Sequence, residues 1–131
     1  MAQTVTMTFD NSRNRVRIQK STLEALGKPT YIRVLLNKQS RTLVLQPVTQ
    51  QEVIEKGLSP HDLMHIPSDI YTKDHPFEYQ KQNIMSFMRS FTKWHPYAEY
   101  RVKGIMDQGV AFIDLDDYEI IVGGSPLRVL K

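Results

Sequence analysis

Between residues 20 and 29 the chain reads KSTLEALGKP, which leaves room for a helix of only about two turns. Ser21 and Glu24 have the S-x-x-E spacing of a capping box, in which each side chain accepts from a backbone N–H that the first turn leaves orphaned. Leu23 and Leu26 fall on one face at i, i+3. Gly27 stands where a left-handed residue closes a helix, and Pro29 forbids continuation. So short a helix is not stable by itself and must pack on an apolar surface. What can flank it is therefore restricted to elements that supply such a surface.

The flanks read as strands. In TVTMTF, residues 4–9, Val5, Met7 and Phe9 alternate with threonines, the pattern of a half-buried strand. Asp10-Asn11-Ser12 is a turn, and RVRIQ at 15–19 alternates again. YIRVLL at 31–36 and TLVLQPV at 42–48 flank NKQSR, a hairpin connection. The order is strand, strand, short helix, strand, strand. A segment of fewer than 50 residues with this content has too little apolar surface to fold alone.

Residues 49–76 are polar and carry three prolines, which reads as a linker with helical turns near 50–56 and 60–65. In 77–94, Ile84, Phe87, Met88 and Phe91 recur at helical spacing, and His95-Pro96 ends the run. Period two then returns at 98–106 and 110–115, joined by a turn at Asp107-Gln108-Gly109, with a further run at 118–122. GGSP breaks that run, and LRVLK ends the sequence. The expected division is an N-terminal unit at 1–48, a linker at 49–76 and a domain at 77–131. That last domain is a helix on a small antiparallel sheet, with Phe91 and Trp94 packing on Val102, Ile105, Phe112 and Ile113. The fold class expected is α+β.

Charge is uneven. Residues 1–48 carry eight Lys/Arg against Asp10 and Glu24, whereas 49–131 carry nine against twelve acids. A basic segment beside a mildly acidic one suggests a polyanion-facing N-terminus. With no cysteine there is no disulfide, thiolate zinc site or cysteine nucleophile. The first residues lack the pattern of a signal peptide and no apolar run is long enough to span a bilayer, so a cytoplasmic protein without membrane contact is expected.

Arg13, Arg15 and Arg17 share one parity, opposite Val16 and Ile18. On a strand they would form a row at about 6.8 Å spacing, with Lys20 near its end. Guanidinium groups suit phosphate because the planar fork donates two hydrogen bonds at once. The bland alternative is a solvated outer strand face.

The text NRVRIQKSTLEALGKPTYIRVLLNKQSRTLVLQPV, residues 14–48, resembles the swapped-hairpin AbrB/SpoVT-type DNA-binding domain. Asn14 stands where that family commonly has glycine, and Gln19 where it commonly has proline. The resemblance implies a homodimer whose hairpins interleave into one barrel-like core. It also implies a non-enzymatic transcription regulator that contacts double-stranded DNA through Arg13, Arg15, Arg17 and Lys20, with Lys28 and Arg41. The remainder loosely resembles uncharacterised phage and mobile-element proteins. The C-terminal domain would then receive a protein or small-molecule effector. The alternative is a protein-interaction module, antitoxin-like or structural, that keeps the dimer fold without binding DNA.

Other motifs read as structure. HDLMH at 61–65 approaches the zinc-protease pattern, but Asp62 stands where glutamate is needed and Pro67 ends any helix. Asp69 and His75 are the third-ligand candidates nearby; two histidines in a polar linker are usually surface residues. Asp114, Asp116, Asp117 and Glu119 cluster at a strand end without a partner motif, and phosphate-cradling glycine loops are absent. Phe87, Phe91, Trp94, Tyr97 and Tyr100 read as core rather than as a stacking platform. No cofactor or metal is expected.

Overall fold

The computed structural model describes residues 3–122. The chain runs β1 (Thr4–Asp10), a 3-10 turn (Asn11–Arg13), β2 (Arg15–Ile18), α1 (Lys20–Ala25), β3 (Tyr31–Asn37) and β4 (Thr42–Val48). Then come α2 (Gln50–Lys56), a 3-10 turn (Pro60–Asp62), β5 (Met64–His65), a further 3-10 turn (Ser68–Thr72) and β6 (Phe77–Tyr79). The last elements are α3 (Gln82–Thr92), β7 (Ala98–Asp107) and β8 (Val110–Val122). The fold is α+β. Its strands pair antiparallel in one curled half-barrel sheet of order β5-β3-β4-β8-β7-β1-β2-β6. The expected break at GGSP and the closing LRVLK lie outside the described residues.

This order corrects the expected division at 48 and 77. The β7–β8 hairpin lies between β1–β2 and β3–β4, so both ends of the chain build one sheet. The reason is apolar area. The N-terminal strand pairs are too small to bury a core, and here the chain's own later hairpin supplies the central strands. Val5, Met7 and Phe9 of β1, Val102 of β7, Ile113 and Leu115 of β8 and Leu45 of β4 all face one continuous core. Leu23 and Leu26 of α1 plug it, as the two-turn helix requires.

Several local readings hold. Gly27 closes α1 at φ +87°, with its N–H donating to Glu24 O and the Lys28 N–H donating to Leu23 O, each at 3.0 Å. The β7–β8 turn has positive φ at both Gln108 and Gly109, the twist that a two-residue hairpin favours. Others need correction. α1 starts at Lys20 with Gln19 as its cap, and no side chain caps it; Ser21 lies inside the first turn. The box forms instead at Thr49-Gln50-Gln51-Glu52. There the Glu52 N–H donates to Thr49 Oγ1 at 3.0 Å and the Thr49 N–H donates to the Glu52 carboxylate at 3.2 Å. That backbone donor, first among the causes, holds the Glu52 carboxyl below its ordinary value.

The helix expected over 77–94 is shorter. Residues 77–79 leave it to pair with β2 as β6. α3 buries Met85 and Met88, with Ile84 and Phe91 at the margins, and leaves Phe87 exposed. Trp94 meets Phe9, Tyr100 and Tyr118, its ring stacked on Tyr100 at 4.6 Å. Tyr97 is exposed, and Ile105 lies on the outer face of the sheet at 50% exposure, so neither joins that core. Residues 118–122 continue β8 rather than forming a further strand. Between the pairs Val102–Tyr118 and Gly104–Ile113 the register shifts, so Asp114–Asp117 stand opposite Lys103 alone.

Candidate functional site

The outer face of β2 holds two of the three arginines. Arg13 lies in the 3-10 turn before the strand, because the chain must reverse between β1 and β2 there. Asn14 completes the reversal in the left-handed region at φ 51°, a conformation asparagine tolerates. Its side chain accepts from Arg89 Nη1 at 2.8 Å, which ties the turn to α3.

Arg15 and Arg17 are half-buried and already partnered. Arg15 pairs with Asp10 at 3.4 Å and with Glu78. Arg17 pairs with Glu78 at 3.6 Å and Glu99 at 3.4 Å. Register explains the set: Asp10 lies across from Arg15 on β1, Glu78 across from Arg17 on β6, and Glu99 across from Asp10 on β7. Further along the same face, Lys103 pairs with Glu119 at 3.8 Å, and Arg101 lies across from Thr8 and Glu119. The cations Arg15, Arg17, Arg101 and Lys103 thus stand among the carboxylates of Asp10, Glu78, Glu99 and Glu119. This is a charge-compensated lattice.

The other expected contacts are dispersed. Lys20 Nζ donates to Lys73 O at 3.1 Å, and Lys28 is exposed beyond α1 at φ 52°. Arg41 is in the β3–β4 turn, bound to Asp116 at 2.9 Å and stacked over Phe91 at 5.0 Å. β4 and β2 are separated by β8, β7 and β1, so Arg41 and the β2 arginines do not form one patch.

A second site lies where the half-barrel stays open. The sheet's outermost strands are β5, of two residues, and β6, of three. Between the β3–β5 edge and β6 is an apolar cleft of about 410 Å³. Its floor is Ile32, Val34, Leu36 and Leu43; its far wall is Tyr79 with Ile84, Phe87 and Met88 of α3. Leu63 and Met64 close one end, and His61, Asp62 and Lys81 form the polar rim. Lys81 Nζ donates to the His61 carbonyl at 3.4 Å, bridging the rim. Such a volume, apolar lining and sparse polar rim are what small-ligand and side-chain pockets have in common.

Local sequence makes the cleft. The 3-10 turn Pro60–Asp62 carries the chain away from β3, so β5 pairs only with Tyr31 and Ile32. The expected helical turn at 60–65 therefore ends in a strand, and His61 and His65 do not share a helical face. His65 instead packs against Tyr31 at 5.3 Å. Among the described residues no group of three or more His, Asp or Glu is placed to hold a metal ion. Asp114 accepts from the Asp116 N–H at 3.0 Å, a turn contact within the β8 irregularity. Among the described residues no helix is long and apolar enough to cross a membrane.

The sequence reading missed the cleft. Its one visible signal was Phe87, which stands in the helical stripe yet lies to one side of the Met85–Met88 face. No family model, curated protein or solved structure matches this chain.

Proposed function

We propose that the chain is a non-enzymatic protein-interaction module and that the cleft between β3 and α3 receives its partner. The observation that carries this is the cleft itself: an opening lined mainly by apolar side chains, among them Phe87, which is 47% exposed. An exposed large aromatic on the rim of a pocket is the arrangement that marks interaction surfaces. The test is binding of an anilinonaphthalene dye to the native protein and to Ile84→Trp. Ile84 is half-buried on the cleft wall, so a larger ring there fills the opening. Saturable dye fluorescence that falls in the variant, with near-ultraviolet circular dichroism unchanged, supports the reading. Equal dye binding by both proteins overturns it.

A second reading keeps the DNA-binding regulator, with a swapped-hairpin homodimer and the β2 arginines on phosphate. Its support is the strand-strand-helix-strand-strand order and the exposure of Arg13 and Lys28. Against it stand the carboxylates that already occupy Arg15 and Arg17. Binding to mixed-sequence duplex at 50 and 200 mM salt, with sedimentation for the dimer, decides it.

A further inference from the structure

We infer that the cleft takes an extended segment of a partner protein, added as a strand to the open edge of β3, with apolar residues facing the cleft and acidic residues facing out. This rests on the reading that the cleft is the interaction site.

The backbone supplies the first argument. β3 pairs with β4 along its whole length, from Tyr31 to Asn37, but with β5 only at Tyr31 and Ile32. The Thr30 carbonyl accepts from the Ile66 N–H at 2.8 Å, so Thr30 turns its polar groups toward the β5 side. Strand alternation puts the N–H and C=O of Val34 and Leu36 on that same side. Among the described residues these groups have no backbone partner. The sheet's outermost strands, β5 and β6, are kept very short, which is how proteins blunt unwanted pairing. β3 is left open over five residues and borders an apolar cleft, the combination that strand addition uses.

Side-chain direction supplies the second. Val34 and Leu36 point into the cleft, toward Ile84 and Phe87. An added antiparallel strand would put alternate side chains into the same space and the others on the outer face. There charge selects. Arg33 and Lys38 are exposed near that edge, and neither has a carboxylate within ion-pair distance among the described residues. Lys81 stands at the mouth, with Asp62 the one acid on the cleft wall. Outward acidic residues complement this edge.

The experiment uses the full chain and a fluorescein-labelled, acetylated heptapeptide that alternates glutamate with valine and leucine. Anisotropy gives its affinity, and dye displacement locates it. The comparison ligand is the same peptide N-methylated at alternate amides, which removes edge donors without altering side chains. Loss of two edge hydrogen bonds is expected to lower affinity about tenfold or more. Val34→Pro removes a donor from the protein edge and should reproduce the loss; Arg33→Glu should weaken binding at low salt.

A peptide that displaces dye and is weakened by N-methylation supports the inference. A peptide that displaces dye regardless of methylation overturns strand addition and leaves the cleft reading standing. Displacement by an all-lysine counterpart equally well overturns the charge assignment. Absence of dye binding by the native protein overturns the cleft reading beneath it. Concentration-dependent self-association abolished by Val34→Pro would assign the edge to a second copy and overturn a foreign partner. Because the methylated peptide acts on the ligand, the test survives a variant that fails to fold.

Discussion

Gly104 lies in the middle of β7, and a methyl group there has nowhere to go. A Cβ built on it falls 2.3 Å from the Phe112 carbonyl oxygen and 2.8 Å from Ile113 Cα. Ordinary contact is about 3.4 Å or more, so the backbones of β7 and β8 must part by about 1 Å. Both obstacles are main chain and cannot rotate away. Gly104→Ala is thus an overpacking change against rigid neighbours, at the upper end of the range for such changes, about 3 kcal/mol. For a chain of this size that is a fall in Tm of about 10 °C. The assay is thermal and urea unfolding followed by circular dichroism. The control is Gly27→Ala, at φ +87° with nothing within 4 Å, which carries only left-handed strain of about 1 kcal/mol. A Gly104→Ala protein melting within 2 °C of native would refute the tight β7–β8 approach and with it the central place of that hairpin.

Leu45→Ala, at a fully buried position in β4, should cost about 2–5 kcal/mol in urea unfolding. Thr49→Ala removes the capping acceptor of α2 and should cost about 1 kcal/mol, seen as faster amide exchange over residues 50–56. Burial raises the Tyr71 hydroxyl to about 12, and this hydroxyl donates to the Pro29 carbonyl at 2.8 Å. Its folded value lies above the unfolded one. Its stabilising contribution is therefore complete below about pH 10 and is lost as pH rises through about 12. Absorbance titration should show one tyrosine ionising late, and Tyr71→Phe should remove that phase.

Much of the architecture was legible because period and punctuation are local properties. The parity of Val5, Met7 and Phe9, the stop at Gly27 and the turn at Gln108-Gly109 each follow from a few neighbouring residues. What was not legible is who pairs with whom. β4 and β8 meet across some 70 positions, Leu43 against Ile113 and Val44 against Phe112, and no local pattern records that register. The same holds for the 77–79 stretch: its side chains extend a helical stripe, but pairing with Val16, Arg17 and Ile18 makes it a strand. The cleft depends on a pairing that stops, at Ile32, which is more remote from local sequence still.

The uneven charge of the sequence acquires a different meaning once the fold brings its halves together. The basic first third and the acidic remainder meet on one sheet face, where Glu78 and Glu99 sit on Arg15 and Arg17, and again at Arg41 with Asp116. For Arg15, Arg17 and Arg41 the basic first third is thus met by carboxylates from the later part of the chain. The Arg41–Asp116 pair is exposed and contributes little to stability, on the order of 0–1 kcal/mol, whereas the Arg17–Glu99 pair is largely shielded from water. Removing the acids should therefore expose what they mask. Glu78→Gln/Glu99→Gln removes both carboxylates from Arg17 and leaves Arg15 with Asp10 alone, each amide keeping about the volume of the acid it replaces. Its binding to mixed-sequence duplex should strengthen, and the slope of log K against log salt should steepen by about 1, for the one guanidinium group freed to meet a phosphate. Native protein that already binds with the slope of a six-phosphate contact, roughly −5, and a double variant that binds no better, would show that the carboxylates do not mask the row.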